Sequence, residues 1–481
     1  MASSSVNARL VGYISLFFIS IISLASGSNN KIADDEILKL EPILRLHQLA
    51  AISDSPHHIQ RTFLSKASLE AGKLLQTWME DAGMSTWIDN IGNVHGRTNG
   101  NNPSAPALLI GSHYDTVIDA GKYDGALGII VAIAAVKSLH VHGLLEKFPR
   151  PIEIIAFSDE EGVRFQSTFL GSAAIAGKFS EHLLSVVDKS GTTLEAALKA
   201  SSVPGTAESI IGMKYEADSV WGYIEVHIEQ GPVLEKQGIP LGVVAAIAGQ
   251  TRINVILKGL QGHAGTIPMA MRRDPMTASA AAILNIEHIC KHPEEFMGDL
   301  EQGKRNHFVH EGALVCTVGE IATWPGASNV IPGEVSFTID VRAEDDLVRK
   351  SAVSTIIKRI ENISLARQVF PRVEIKHEAG AVICDSDLQK QLRFAASQAL
   401  RKLPSSVFQG DKQCIPTVIS GAGHDALMMA HLTKVGMLFV RCTGGISHSP
   451  DEHVLEDDIW AASLALKDFL GKEIPHEEFA S

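Results

Sequence analysis

The stretch Ala107-Leu-Leu-Ile-Gly-Ser-His-Tyr-Asp-Thr116 decides the fold class, because an apolar run ends here in small and polar residues. The run predicts a buried strand, and the polar residues mark its carboxyl end. Around it the sequence predicts a helix over 63–83, a helix over 125–139, a strand over 151–157 and a polar turn over 158–162. Helices that alternate with short apolar strands predict an α/β fold with a mainly parallel sheet. In such sheets, chemistry gathers at the carboxyl ends of the strands.

From residue 250 the pattern changes to a β-α-β-β-α-β order. It comprises a strand over 252–259, a helix over 274–292, strands over 313–322 and 333–341, a helix over 347–367 and a strand over 372–377. This order is typical of a compact unit of its own. We therefore expect a first domain in two parts, 35–249 and 381–475, with a second domain inserted over 250–380.

Length and composition indicate a globular protein: 481 residues, 45% hydrophobic and 20% charged, are sufficient for more than one core. The formal net charge of −13 repels polyanions, so nucleic acid is excluded as an expected partner.

The first residues differ from the rest of the chain. Arg9 is the only charge before an apolar run from Leu10 to Leu24, and Ala25-Ser26-Gly27 follows. This pattern predicts a signal peptide over 1–27 and entry into the secretory pathway, with the endoplasmic reticulum as the expected location. An uncleaved membrane anchor is the alternative, but the run is short and interrupted by Gly12 and several serines. After cleavage we expect no stable membrane span.

The cysteines predict no disulfide framework, because they are odd in number, scattered and without a CxxC pair. We expect most of them to be small buried apolar residues. They are Cys290, Cys316, Cys384, Cys414 and Cys442.

Five polar clusters follow apolar strands or their turns: Ser112 to Thr116, Tyr123 to Ala126, Asp159 to Gly162, Glu225 to Gly231 and Gly445 to Pro450. They contain imidazoles and carboxylates but no thiolate, a donor set that suits zinc or manganese. Any one cluster could equally hold surface or capping residues. Five of them in this order favour a metal site.

These motifs resemble a known family. The series His113-x-Asp115, Asp124-Gly125, Glu160-Glu161, His227 and His448 is similar to the aminoacylase and carboxypeptidase-type di-metal hydrolases. The strings Glu229-Gln-Gly-Pro232, Gly262-His-Ala-Gly265, Ser328-Asn-Val-Ile-Pro332 and Asp340-Val-Arg342 resemble its branch that hydrolyses ureido and N-carbamoyl groups. The longer strings from Gly262 to Met269 and from Ser420 to Ala426 resemble plant-type allantoate amidohydrolases within that branch. The resemblance implies hydrolysis of allantoate to ureidoglycine, carbon dioxide and ammonia.

By this resemblance Asp124 bridges two divalent ions, with manganese expected ahead of zinc. His113 and His227 complete one site, and Glu161 and His448 complete the other. The inserted domain is implied to act as a lid and to form a homodimer.

Glu160 is next to a ligand and is expected to take a proton from the attacking water and return it to the leaving nitrogen. Asp115 is expected to accept the imidazole N–H of His113 and fix its tautomer. A capping role is the alternative for Asp115.

The remaining candidates concern a small carboxylate substrate with a ureido group. The guanidinium of Arg342 matches a carboxylate bidentately. Gln230 and Asn329 offer amides to the ureido group, and His263 could donate to the developing oxyanion. Gly423 and His424 lie in a glycine-rich turn and either contact the substrate or only form the turn. In a homodimer, His263 and Asn329 are expected to reach the partner's active site.

Three alternatives stay open from sequence. Ureidoglycolate or an N-carbamoyl amino acid would use the same metals and a similar carboxylate contact. A non-catalytic ligand-binding relative is the alternative of another class, and the retention of Glu160 with every expected ligand disfavours it.

Overall fold

The computed structural model describes residues 34–201, 203, 205–295, 314–404 and 414–474. The predicted signal peptide over 1–27 lies outside the described residues. The strands are β1 (Ser85–Ile88), β2 (Val94–Thr98), β3 (Ala107–His113), β4 (Ile152–Phe157), β5 (Val220–Ile228), β6 (Leu241–Ile247), β7 (Gly249–Lys258), β8 (Gly262–His263), β9 (Leu314–Thr317), β10 (Ile321–Trp324), β11 (Val330–Ile331), β12 (Glu334–Ala343), β13 (Phe370–Ala379), β14 (Val382–Ile383), β15 (Thr417–Ser420) and β16 (Val435–Val440).

The α-helices are α1 (Glu41–Ala50), α2 (Lys66–Asp81), α3 (Ala126–Val141), α4 (Leu170–Ile175), α5 (Leu194–Ala200), α6 (Ala207–Ile211), α7 (Val233–Gln237), α8 (Pro275–Lys291), α9 (Asp346–Ala366), α10 (Ser386–Lys402), α11 (Asp425–Met429) and α12 (Glu456–Gly471). A π-helical turn over Glu36–Leu40 leads into α1. Within the described part of the chain, no helix is both long and apolar enough to span a bilayer.

In the described ranges the large sheet has nine strands, with β4, β3, β5 and β16 adjacent and parallel at its centre. The predicted α/β fold with a parallel sheet is confirmed in this central part. Antiparallel neighbours flank it, with β2 beside β4 and β6 beside β16. These flanking strands were not expected from the sequence.

The core explains why β3 and β4 are apolar at nearly every position. Leu108 and Ile110 pack into one cluster together with α3, and Leu109 packs into a second cluster on the opposite face of the sheet. Every residue of β3 and β4 is buried. A strand covered by helices on both faces needs a continuous apolar run. The same reasoning applies to α3, which is buried from Ala126 to Leu139.

The second sheet, called the lid sheet, has five antiparallel strands among the residues that the structure describes: β7, β9, β10, β12 and β13. Helices α8 and α9 pack on one face of it. The β-α-β-β-α-β order is as predicted, except that the expected strand over 313–322 is divided into β9 and β10. Sheet membership changes between β6 and β7 and again between β13 and β14. The domain limits given above stay a prediction.

One cysteine pair corrects the sequence analysis. Cys290 in α8 and Cys316 in β9 form a disulfide, with Cα atoms 6.0 Å apart. The expectation that no disulfide framework exists was therefore wrong for this pair. Cys384 and Cys442 are free and buried, as expected, and Cys414 is free and exposed.

Candidate metal centre and active site

The candidate site is a cleft of about 640 Å³ between the large sheet and the lid sheet. His113 ends β3, His227 lies in β5 and Glu160 follows β4. Because the carboxyl ends of parallel strands meet at one edge, these side chains lie close together. The cleft is lined by the predicted residues His113, Asp124, Glu160, Glu161, His227, Gln230, Arg342, Gly423 and His448, and also by Val117, Gly162, Gln166, Thr168, Phe169, Gln250, Arg252 and Ala422.

The first ligand group consists of the buried residues His113, Asp124 and His227. Oδ1 of Asp124 lies 3.2 Å from Nε2 of His227 and 3.6 Å from Nε2 of His113. Each Nδ1 faces a main-chain carbonyl oxygen, that of Asp115 at 3.1 Å and that of Ile228 at 2.9 Å. Since a carbonyl oxygen only accepts, Nδ1 carries the proton in both rings. Both Nε2 lone pairs therefore face the same carboxylate oxygen.

The second ligand group consists of Asp124, Glu161 and His448. Nε2 of His448 lies 3.1 Å from Oδ2 of Asp124 and 3.2 Å from Oε1 of Glu161. Asp124 thus presents one carboxylate oxygen to each group. This is the arrangement that a ligand shared by two cations requires.

These donors fit two divalent cations. Oδ1 of Asp124 is buried and has no hydrogen-bond partner among the described residues. Burial disfavours a positive charge on His113, but Glu160 and Asp124 outweigh it and raise the pKa of the imidazole well above its usual value. Hydrogen bonds to Asp124 and Glu161 raise the pKa of His448 to about 10. The carboxylates therefore favour positive charge where the ligand atoms converge, which bound cations would supply.

The glycine after Asp124 has a geometric reason. Gly125 has a φ of +63°, and a Cβ there would lie 2.5 Å from the ring of His113. Glycine therefore lets the chain turn into α3 directly beside the imidazole.

Glu160 is buried beside the first ligand group. Burial raises its pKa well above the usual carboxyl value, His113 opposes the shift, and Glu161 adds to it. Its main-chain N–H donates to Oδ1 of Asp115 at 3.0 Å, and that of Glu161 donates to Oδ2 at 3.2 Å.

The expected contact between the Asp115 carboxylate and His113 is not a hydrogen bond, because the atoms are 3.8 Å apart. The main-chain carbonyl of Asp115 orients the imidazole instead. The side chain of Asp115 instead holds the turn that carries Glu160 and Glu161.

Known proteins are similar to this chain over most of its length. The family model of peptidase family M20/M25/M40 matches residues 109–472. Allantoate deiminase 2 of Glycine max is 56% identical over 437 residues, which cover 90% of this chain and 89% of the relative.

The chain belongs to peptidase family M20/M25/M40.

This family is di-metal dependent. Among solved structures, a hydantoinase/carbamoylase family amidase from Burkholderia multivorans has a TM-score of 0.78 at 27% identity and covers 91% of this chain and 98% of its own. The crystal structure of AtUAH in complex with glyoxylate has a TM-score of 0.72 at 29% identity, with 90% and 96% covered.

Gln230 and Arg342 face the cleft of this M20 protein from opposite sheets. Nε2 of Gln230 donates to Oδ2 of Asp124 at 3.0 Å and to Ser447 at 3.2 Å. Its Oε1 is buried and has no partner in the described structure. Arg342 donates twice to Asp340, at 2.9 and 3.1 Å, and once to the carbonyl of Gly421 at 2.8 Å.

The two predicted residues of the glycine-rich turn differ in position. Gly423 lines the cleft. His424 is buried behind it, where its ring packs against His227 at 4.4 Å between centroids and its Nε2 lies 2.7 Å from Oγ of Ser420. Burial lowers the pKa of His424 well below its usual value, so the ring is neutral. His424 therefore supports His227 rather than lining the cleft.

His263 and Asn329 are not brought to this cleft within one M20 chain. His263 lies in β8, and Asn329 directly precedes β11, which pairs with β8 in a small sheet. The N–H of Ala264 donates to the carbonyl of Asn329 at 3.0 Å. His263 is exposed.

Sequence reasoning missed a residue that joins two ligand loops. Glu452 is buried and accepts the main-chain N–H groups of Tyr123 at 2.8 Å and Asp124 at 3.1 Å. The hydroxyl of Ser447 donates to Glu452 at 3.0 Å and also lies 3.0 Å from Asp124. In the sequence, the position of Glu452 four residues after His448 could have indicated this role. Sequence reasoning also missed Gln250 and Arg252, which line the cleft on the side of the lid sheet, called the lid wall.

Proposed function

We propose that this protein is an allantoate deiminase that hydrolyses one ureido group of allantoate in a metal-dependent reaction and yields ureidoglycine, carbon dioxide and ammonia. The observation that carries the proposal is the buried Oε1 of Gln230, an acceptor without a partner in the described structure, in a cleft that also holds Glu160 and Arg342. A ureido group supplies the N–H donors that this oxygen lacks. The similarity to allantoate deiminase 2 of Glycine max supports the same substrate.

The cations would be held by His113, Asp124 and His227 on one side and by Asp124, Glu161 and His448 on the other. When bound, two divalent ions polarise the scissile carbonyl and make the attacking water more acidic. Glu160 takes the proton from that water and delivers it to the leaving nitrogen, a role that suits a carboxyl whose pKa is raised by burial. The carbonyl of Asp115 holds the proton of His113 on Nδ1 throughout.

We propose manganese as the ion that this protein uses, with zinc as the alternative. Both groups consist of imidazole nitrogens and carboxylate oxygens without a thiolate. Oxygen-rich sites favour manganese relative to thiolate sites, while imidazole also suits zinc.

Arg342 is proposed to bind the substrate carboxylate. Three of its N–H groups donate to acceptors among the described residues, which leaves about two of a guanidinium's five for a ligand. Its Nη groups therefore keep donors on the lid wall, opposite the metal ligands.

Ureidoglycolate and N-carbamoyl amino acids remain the alternative substrates within this site. The carbamoylase family of the Burkholderia amidase is the observation that favours the second of these. A non-catalytic role is disfavoured because Glu160 and both ligand groups are in place. Ammonia release measured over a panel of these compounds tests the proposal, and a clear preference for ureidoglycolate would replace allantoate.

We also propose that the protein is a homodimer joined through the lid, with His263 and Asn329 acting in the partner's site. Large apolar side chains are exposed on this part of the chain, such as Met269 at 74% and Trp324 at 70%. Burial of these side chains against a second chain would remove apolar surface from water. A chain inactivated at Glu160 mixed with one inactivated at His263 should recover part of the activity. No recovery despite proven subunit exchange would contradict sharing.

The proposed location is the endoplasmic reticulum, reached through the signal peptide over 1–27. The disulfide between Cys290 and Cys316 supports an oxidising compartment. A fluorescent fusion at the carboxyl terminus should colocalise with a marker of the endoplasmic reticulum. Deletion of residues 1–27 should move it to the cytosol.

A further inference from the structure

The lid wall of the cleft carries a second arginine that no motif marks. Arg252 and Arg342 lie on the neighbouring strands β7 and β12, where Arg252 pairs with Asp340 and Arg342 pairs with Gln250. Both arginines line the cleft. Asp340 lies between them: its Oδ2 accepts from Nε of Arg252 at 3.3 Å and from Nη2 of Arg342 at 3.1 Å. The Asp340 carboxylate thus holds two guanidinium groups side by side, and the three groups together carry a net positive charge.

The two arginines differ in how much of their hydrogen-bonding capacity is used. Arg342 also donates from Nη1 to the carbonyl of Gly421 at 2.8 Å. Arg252 uses only Nε, and within the described ranges neither of its Nη groups has a hydrogen-bond acceptor. Its side chain is 52% exposed. A free Nη pair on the wall of a cleft is the geometry that binds a carboxylate bidentately.

Basic groups outnumber acidic ones on this wall, where Arg252, Arg342 and Lys376 lie near a single lining carboxylate, that of Asp340. His377 lies beside Gln250, with its Nε2 3.1 Å from the amide nitrogen. Its pKa is lowered, first by burial and then by the charge of Arg252, while Asp340 opposes the shift. A second cavity of about 640 Å³ adjoins here and is lined by both arginines, Lys376 and two threonines, Thr317 and Thr338. Positive potential here stands out in a chain of net charge −13 and directs anions to the lid wall.

We propose that Arg252 is a specificity-determining residue whose Nη groups bind the substrate carboxylate together with Arg342. The cleft then selects anionic ureido compounds over uncharged ones. This inference rests on the proposed function and adds a residue to its substrate site. Asp340 acts as a positioning residue, because it sets the spacing of the two guanidinium groups.

The test is calorimetric titration of the metal-loaded protein with glyoxylate, a small carboxylate, and with glyoxylamide, its uncharged analogue. Arg252→Gln should weaken glyoxylate binding by about tenfold, the loss expected for a charge-assisted hydrogen-bond pair. Glyoxylamide binding should not change. Arg252→Lys keeps the charge but loses the planar pair of Nη groups. Its glyoxylate affinity should therefore lie between those of the wild type and Arg252→Gln.

Arg372→Gln is the matched control, since Arg372 lies on β13 with a side chain 74% exposed and does not line the cleft. It removes the same charge and should leave both affinities unchanged. Glyoxylate affinity in Arg252→Gln within about twofold of the wild type would overturn the proposal. An equal loss for both probes would also overturn it, because the variant would then have disturbed the cleft rather than removed a carboxylate contact. Absence of glyoxylate binding to the wild-type protein would do the same.

These measurements are independent of turnover. A protein that binds glyoxylate through Arg252 but releases no ammonia from allantoate would keep this inference and refute the proposed function. Turnover of allantoate with unchanged KM in Arg252→Gln would keep the proposed function and refute this inference.

Discussion

The carboxylate of Asp115 holds the main chain of Glu160, whose N–H donates to Oδ1 at 3.0 Å. The second oxygen accepts the N–H of Glu161 at 3.2 Å. One buried acid therefore fixes both the proposed general base and a proposed metal ligand. Asp159 precedes them with a φ of +55°, so the turn adopts a left-handed backbone that these hydrogen bonds help to hold.

Asp115→Ala should therefore lower kcat by about ten- to a hundredfold, the scale seen when groups that orient metal ligands are removed. Metal bound at the group that contains Glu161 should also weaken, which titration with a competing chelator measures. The exposed Asp119, four residues further on, offers the control Asp119→Asn, which should behave as the wild type. A variant at Asp115 with normal kcat and metal affinity would show that the turn holds itself.

Glu160→Gln keeps the size of the side chain but removes the base. We expect near-normal metal content and a kcat lowered by about two or more orders of magnitude. Glu161→Gln is the matched comparison, because it should lose metal as well as activity. If Glu160→Gln loses its metal instead, the roles of the two glutamates are exchanged.

Exhaustive chelation should abolish activity, since both ligand groups share Asp124. Manganese is expected to restore more activity than zinc when each is added back to the chelated protein. The melting temperature should also fall on metal removal, because uncompensated carboxylates then face one another in the cleft. Full activity in a protein shown to be free of metal by mass spectrometry would refute the metal centre.

The sequence was sufficient to predict the central elements, and the residues expected as metal ligands lie together in the structure. Strands β3 and β4 are buried on both faces and so appear as continuous apolar runs, and their limits lie within one residue of those expected. The polar clusters at strand ends converge because parallel strands share one carboxyl edge.

What escaped prediction depends on contacts between distant segments. Glu452 binds the N–H of Asp124 across 328 positions. The position of Arg252 beside Asp340 follows from strand register, which no local pattern reveals. The role given to the Asp115 side chain failed for a local reason: the choice between its carboxylate and its carbonyl depends on the path of the main chain after β3.

A buried network away from the cleft predicts pH-dependent stability. Nδ1 of His95 lies 2.9 Å from Oε1 of Glu153, and Nε2 lies 3.1 Å from Oδ2 of Asp89. Burial disfavours the charged ring, but these two carboxylates outweigh it and raise the pKa of His95 from 6.5 to about 9. Arg97 and Tyr215 also contact Glu153.

A raised histidine pKa stabilises the fold fully below pH 6.5, and this contribution is lost as the pH rises through about 9. The loss should reach about 3 kcal/mol in total. Urea unfolding of the wild type and of His95→Gln at pH 6, 7.5 and 9 measures it as a difference that shrinks with pH. A difference that is constant over this range would contradict a charged His95.

The substrate prediction follows from the groups that the cleft leaves unsatisfied. Arg342 provides donors for a carboxylate on the lid wall, and Oε1 of Gln230 provides an acceptor without a partner among the described residues. Allantoate meets both needs at once, because it has a carboxylate and two ureido groups. A plain N-carbamoyl amino acid would turn an apolar side chain toward these polar groups, and an unpaired buried polar group costs about 1 to 3 kcal/mol.

We therefore expect allantoate to have the highest kcat/KM in a panel with ureidoglycolate, N-carbamoyl amino acids and 3-ureidopropionate, measured by ammonia release. Arg342→Ala should reduce kcat/KM for allantoate more than any other substrate-side substitution, by about one to two orders of magnitude. If Arg342→Ala leaves the ranking and the rates intact, the carboxylate binds elsewhere, and a preference for ureidoglycolate in the wild type would reassign the substrate while leaving the metal centre in place.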